Sequence, residues 1–129
     1  MKSATLCGGG RRGTVCGDSF YMKGAPLVYV ASAFAGDVER NLMNARQYCR
    51  FAAERGAVPL APHLLLPQFM SEETERNAAM AMNRVILERC DELWLFGETI
   101  TDGMALEFVW ARQTGIPVRR FGGDCEERT

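Results

Sequence analysis

No stretch of this chain is apolar for long enough to cross a bilayer, and the N-terminus lacks the apolar core of a secretory leader, so the first expectation is a cytoplasmic protein. A positive field is missing too. Fifteen Lys and Arg stand against sixteen Asp and Glu, a net charge of -1, which excludes holding a nucleic-acid polymer by its phosphates. Neither GxGxxG nor GxxxxGK[ST] occurs, so the chain has no dinucleotide fingerprint and no Walker loop, and no cofactor is expected. There is no Ser or Cys nucleophile motif from which to argue a triad. The five cysteines (Cys7, Cys16, Cys49, Cys90, Cys125) are odd in number and form no CxxC pair, so no metal site is expected. Cys7 and Cys16 bracket "GGGRRGTV", which reads as a flexible glycine-rich arm in preference to a disulfide-held hairpin tip or a remnant metal loop.

What remains is one compact domain: 129 residues, 47% hydrophobic, bury a single core. Six of the thirteen glycines fall in residues 1–25, an irregular arm, and the folded domain is expected over 26–129. "LVYVASAF" (27–34) is an apolar, β-branched and aromatic run without alternation, the mark of a strand buried on both faces. Val38, Leu42, Ala45, Cys49 and Ala52 then recur at helical spacing until Gly56. "AVPLAP" (57–62) reads as a short strand and "HLLLPQFM" (63–70) as an apolar loop. Ser71 followed by Glu72 and Glu73 caps a helix expected to run to about Arg89. "DELWLFG" (91–97) is a third strand, Asp102 to Thr114 a helix closed by Gly115, and "IPVRRF" (116–121) a fourth strand. No internal repeat is visible.

Apolar strands alternating with helices imply a flavodoxin-like (Rossmann-like) three-layer α/β sandwich with a mainly parallel sheet of four to five strands and right-handed crossovers. Such sheets bind ligands outside the carboxyl ends of the strands, where strand order reverses. Candidate substrate contacts are therefore Ser32, Phe34 and Asp37 after the first strand, His63 after the second and Gly103 after the third. Asp37 has an ordinary alternative as a helix N-cap, and His63, the only histidine, as an orderer of a proline-bounded loop. Asp37 and Glu39 would repel an anion, which favours a neutral ligand such as a nucleoside at that loop.

Glu107 carries the most chemistry. Its helical neighbours Gly103, Met104, Trp110 and Ala111 cannot pair with it, so either it lies on a solvent edge or it is a carboxylate in a partly apolar cleft at the sheet rim. In a cleft, such a group can attack a sugar anomeric carbon and form a glycosyl ester that a second acceptor resolves.

The order "LVYVASAF", "RCDELWLFG", "DGMALEFVWA", "GIPV", over roughly residues 27–121, resembles the nucleoside 2-deoxyribosyltransferase family, particularly its short bacterial and phage branch. The resemblance implies a flavodoxin-like sheet, homo-oligomers, and movement or hydrolysis of the base of a deoxynucleoside by a glutamate nucleophile. Asp102, Gly103 and Glu107 match the family's D-x-G-x-x-E type segment with one more residue between Gly and Glu, and Tyr29 corresponds to a supporting tyrosine on the first strand. Two departures stand out. Val109 replaces a glycine in the family's "E-L-G-x-A", and Asn83 replaces an aspartate that handles the proton on the base. An amide can hydrogen-bond a base but cannot deliver a proton.

The expected activity is N-glycosidic transfer or hydrolysis on a small-molecule nucleoside or nucleotide, with Glu107, Asp102 and Tyr29 catalytic and Asn83 or His63 on the base. The alternative is a non-catalytic nucleoside-binding sensor on the same scaffold. The helix over 102–114 is apolar nearly all round, so a homo-oligomer with Trp110 or Phe108 at or near the contact is expected.

Overall fold

The first strand, β1 (Leu27–Ala31), is buried from its second residue onward, and four of its residues, Val28, Tyr29, Val30 and Ala31, are at most 1% exposed, as its unbroken apolar run requires. The computed structural model describes residues 22–129; the glycine-rich arm, with its Cys7 and Cys16, lies almost entirely outside the described residues. After β1 come α1 (Val38–Glu54), β2 (Val58–Leu60), a short α2 (Pro62–Leu65) continued by a 3-10 turn (Leu66–Gln68), α3 (Arg76–Glu88), β3 (Glu92–Phe96), α4 (Asp102–Thr114), β4 (Val118–Phe121) and β5 (Glu127–Arg128).

The sheet order is β2-β1-β3-β4-β5, parallel throughout except for the antiparallel β4–β5 pair. This is the flavodoxin-like strand order, and the direction of travel reverses between β1 and β3. With one hand of crossover, that reversal puts α1 on one face and α3 with α4 on the other. The two cores show it. Val28, Val30, Trp94, Phe96 and Phe121 meet Tyr48 and Ala52 of α1, while Tyr29, Ala31, Leu93 and Leu95 meet Leu87 of α3 and Met104, Trp110 and Ala111 of α4. The α1 side is an aromatic layer in which Tyr48 stacks on Phe96 at 4.5 Å and Phe96 on Phe121 at 4.9 Å.

Two expectations are corrected. Residues 63–70 are not a plain loop, because Pro62 supplies a fixed φ at the first position of a short helix whose turn continues to Gln68. The helix expected from Ser71 begins only at Arg76. Ser71 does cap, accepting from Thr74 N at its Oγ, but it closes a separate turn, and Glu75 at φ -124° leaves the helical region before α3 starts. Of the two residues expected at or near a subunit contact, Trp110 is buried within the chain, 7% exposed, whereas Phe108 is 38% exposed. Among the described residues no helix is long and apolar enough to cross a membrane.

Candidate active site

At the carboxyl ends of β1 and β2, against the start of α4, lies a cavity of about 340 Å³, within the usual size of a small-molecule site. Its polar lining includes Tyr29, which is buried, and Glu107, which is partly buried. Tyr29 is the third residue of β1 and faces the α3–α4 side because alternate strand residues do. Glu107 is in the second turn of α4, a helix whose start is fixed by Thr101, the N-cap, accepting from Met104 N at 3.2 Å. The Tyr29 hydroxyl donates to Glu107 Oε2 at 2.5 Å, across 78 residues of sequence. Glu107 is therefore not on a solvent edge, and its partner comes from the sheet and not from its own helix.

Enclosure by the surrounding protein pushes the Glu107 carboxyl up to about 7, and the Tyr29 hydrogen bond acts against that rise. Tyr29 is itself held well above the ordinary phenol range, first by burial and then by the neighbouring Glu107 charge, so it stays a hydrogen donor. His63 also lines the cavity, on α2, bonded through Nε2 to Ser32 Oγ at 3.0 Å, with Phe34 edge-on to its ring at 6.4 Å. Burial lowers His63 to about 4, so the imidazole is neutral at physiological pH and is no source of a readily transferred proton.

Asn83 projects into the same space from α3. Its Oδ1 is buried without a hydrogen-bond partner, and its Nδ2 reaches only Met80 Sδ, at 4.0 Å. A buried unpaired carbonyl costs on the order of 1–3 kcal/mol, and an amide whose oxygen is free and whose nitrogen holds only a weak sulfur contact is suited to a ligand edge carrying a donor beside an acceptor. The late start of α3 accommodates this residue: counted from Arg76, Asn83 is about two turns in instead of three.

Of the nine residues expected from sequence, eight line the cavity: Tyr29, Ser32, Phe34, His63, Asn83, Asp102, Gly103 and Glu107. Asp37 does not. Its carboxylate accepts from Arg40 N at 3.2 Å as the N-cap of α1 and is exposed, the ordinary alternative for that residue. Gly103 lines the wall, but not because its turn demands glycine: it sits in the first turn of α4, where an added Cβ would meet nothing closer than Thr101 Oγ1 at 3.9 Å. Val109 is 44% exposed and outside the cavity, so the side chain standing where the resembling family has glycine does not obstruct the site.

Sequence reasoning missed two contributors. Asn41 Nδ2 donates to the carbonyls of Phe34 and Ala35, pinning the loop after β1 that forms one wall. Arg76, the first residue of α3, lines the mouth and is paired with Glu72 at 2.6 Å. An Asn one turn inside a helix is a signal that could have pointed to Asn41; Arg76 had none until the start of α3 was known.

The chain is an α/β protein with a concavity lined by Glu107 at the carboxyl ends of the parallel strands of its mostly parallel sheet. The chain belongs to the family described as a domain of unknown function, DUF7768, which matches residues 26–121. No curated protein matches the chain.

Proposed function

We propose that this cavity binds a nucleoside or nucleotide and that Glu107 cleaves its N-glycosidic bond, by transfer to a second base or by hydrolysis, in the manner of the nucleoside 2-deoxyribosyltransferases the sequence resembles. The observation that carries the reading is the Tyr29–Glu107 hydrogen bond inside a half-open cavity, which holds one carboxylate oxygen and leaves the other free to react. The free oxygen bonds to C1′ as the C1′–N bond breaks and its electron pair passes to the base. The base takes up a proton from solvent, and a second base or water then attacks C1′ and releases Glu107. Asp102, at the exposed mouth, faces the sugar hydroxyls, and Asn83 or His63 reads the base. The proposed setting is the cytoplasm. The test is incubation with a pool of ribo- and deoxynucleosides and their monophosphates, with free base followed by chromatography; its absence with every substrate rejects the enzyme.

A second reading has its own support. Neither Asn83 nor the neutral His63 supplies a proton to the leaving base, which suits a sensor that binds a nucleoside without breaking it. The two readings separate on one substitution. In an enzyme short of acid, Asn83→Asp raises base release by roughly 10- to 100-fold, the low end of general acid catalysis, because desolvation in this cavity keeps a carboxyl protonated. A sensor gains nothing from it in the same chromatographic assay.

Homo-oligomerisation belongs to the same proposal. Met82 and Val85 of α3 and Leu106 and Val109 of α4 are each at least 40% exposed on the outer helical layer. Sedimentation at micromolar concentration is expected to show a dimer or larger, and Leu106→Asp with Val109→Asp to give a monomer; a monomeric wild type rejects the contact.

A further inference from the structure

A groove of about 820 Å³ runs between α4 and the β4–β5 edge, away from the cavity that holds Glu107. It shares no lining residue with that cavity. Its floor is apolar, with Leu95, Ile116 and Val118 below and Ile100 and Phe108 on the walls, the last two 39% and 38% exposed. Four arginines stand around it. Arg119 is engaged by Glu127 at 2.7 Å, and Arg128 by Glu98 and Asp124 at 3.2 Å each.

The other two are not neutralised. Arg120 is half-buried; its Nη2 donates to the carbonyl of Gly97 at 2.8 Å, its Nε is buried without a partner, and among the described residues no carboxylate lies within ion-pair distance of it. Arg112 lies over the Phe108 ring at 5.7 Å, likewise with no acidic partner among the described residues. The partly desolvated Arg120 guanidinium without a counter-charge is costly, Arg112 is exposed beside it in the lining, and a carboxylate is the group whose planar pair of oxygens fits a guanidinium. A second copy docked by the same groove would bring like charges together, so the charge pattern opposes a symmetric contact here.

We infer that this groove is a second binding site, for a small apolar monocarboxylate whose chain lies on the Leu95–Ile116–Val118 floor and whose head pairs with Arg112 and Arg120. The volume falls within the range of small-molecule sites, about 300–1,000 Å³, and two cations without a carboxylate partner, around an apolar floor, match one anionic head on an apolar body. The test uses the full chain with octanoate and its neutral isostere octanamide, followed by titration calorimetry. Octanoate is expected to bind saturably at one site per chain, octanamide about tenfold more weakly, and Arg112→Gln to weaken octanoate alone by a similar factor. Ala105→Trp, at an exposed position lining the groove, is expected to block binding with the melting temperature unchanged. Equal affinity for acid and amide, no saturable octanoate binding, or octanoate binding that survives both substitutions overturns the proposal. None of these readouts depends on nucleoside chemistry.

Discussion

Glu107→Gln is expected to lower base release by roughly 10³-fold or more, the scale of removing a covalent nucleophile, and at the same time to make the protein more stable at alkaline pH. The second effect follows from the raised pKa of the carboxyl. Folded Glu107 titrates at about 7 and the unfolded side chain near its ordinary 4.5. Between those values the folded state holds a proton that the unfolded state has lost, so stability falls as pH rises from 4.5 to 7, and the penalty is complete above 7. Its full size is about 3 kcal/mol at one pH unit per 1.36 kcal/mol. Glutamine cannot ionise and still offers Tyr29 a carbonyl acceptor. Chemical denaturation at pH 5 and at pH 8 should therefore show Glu107→Gln close to wild type at the lower pH and more stable by about 2–3 kcal/mol at the higher. Equal stability of the two proteins at both values removes the strained carboxylate, and full turnover in the variant removes the nucleophile.

How much of this was legible in the sequence depends on the range of the interaction. The strand at Leu27–Ala31 and the helix at Asp102–Thr114 were readable because a continuous apolar run and a glycine stop are local signals; Gly115 adopts φ 84°, the left-handed conformation that ends α4. The fold class followed from the order of these elements. The start of α3 was not readable, since Ser71 is a true cap, but of a single turn, and only the backbone break at Glu75 shows it. The two-residue β5 is too short for any period to register, and it is held by pairing with β4 and by the Arg119–Glu127 ion pair across the hairpin. Eight of the nine expected residues line one cavity because strand ends in a parallel sheet, and the helix starts that follow them, converge by topology. Asp37 was the exception because a short acid after a strand serves equally as a ligand contact or a cap, and the choice depends on where its own helix points.

The loop from Gly97 to Thr101 shows how the two concavities share one support. Gly97 takes φ 110°, open to glycine and strained for other residues, which turns the chain off β3 and towards the start of α4. Its carbonyl is gripped by Arg120 from the groove, and four residues on Thr101 caps the helix that carries Glu107. The position of the carboxylate thus rests on a glycine turn, one guanidinium and one hydroxyl, none of which touches it.

Tyr29→Phe is the substitution that tests whether the site works as a unit. The phenylalanine fills nearly the same volume, so the core on the α3–α4 side should keep its packing and the cost to stability should be that of one hydrogen bond to a charged group, about 1.5–3 kcal/mol. For Glu107 the consequence is specific. Its Tyr29 partner is what holds the carboxyl down against desolvation, so without it the value should climb above the present 7. Because a nucleophile must be ionised, the acidic limb of the pH–rate profile should move to higher pH, and at pH 7 base release should fall by roughly 10- to 100-fold. At high pH much of that loss should be regained, since the remaining carboxylate is the more basic and is no longer held in protonated form. A structural role alone would lower the rate by the same factor at every pH. A flat ratio of variant to wild type across the profile would therefore reject the coupling between Tyr29 and Glu107, whereas a ratio that recovers as pH rises identifies the tyrosine as the group that keeps the nucleophile ionised.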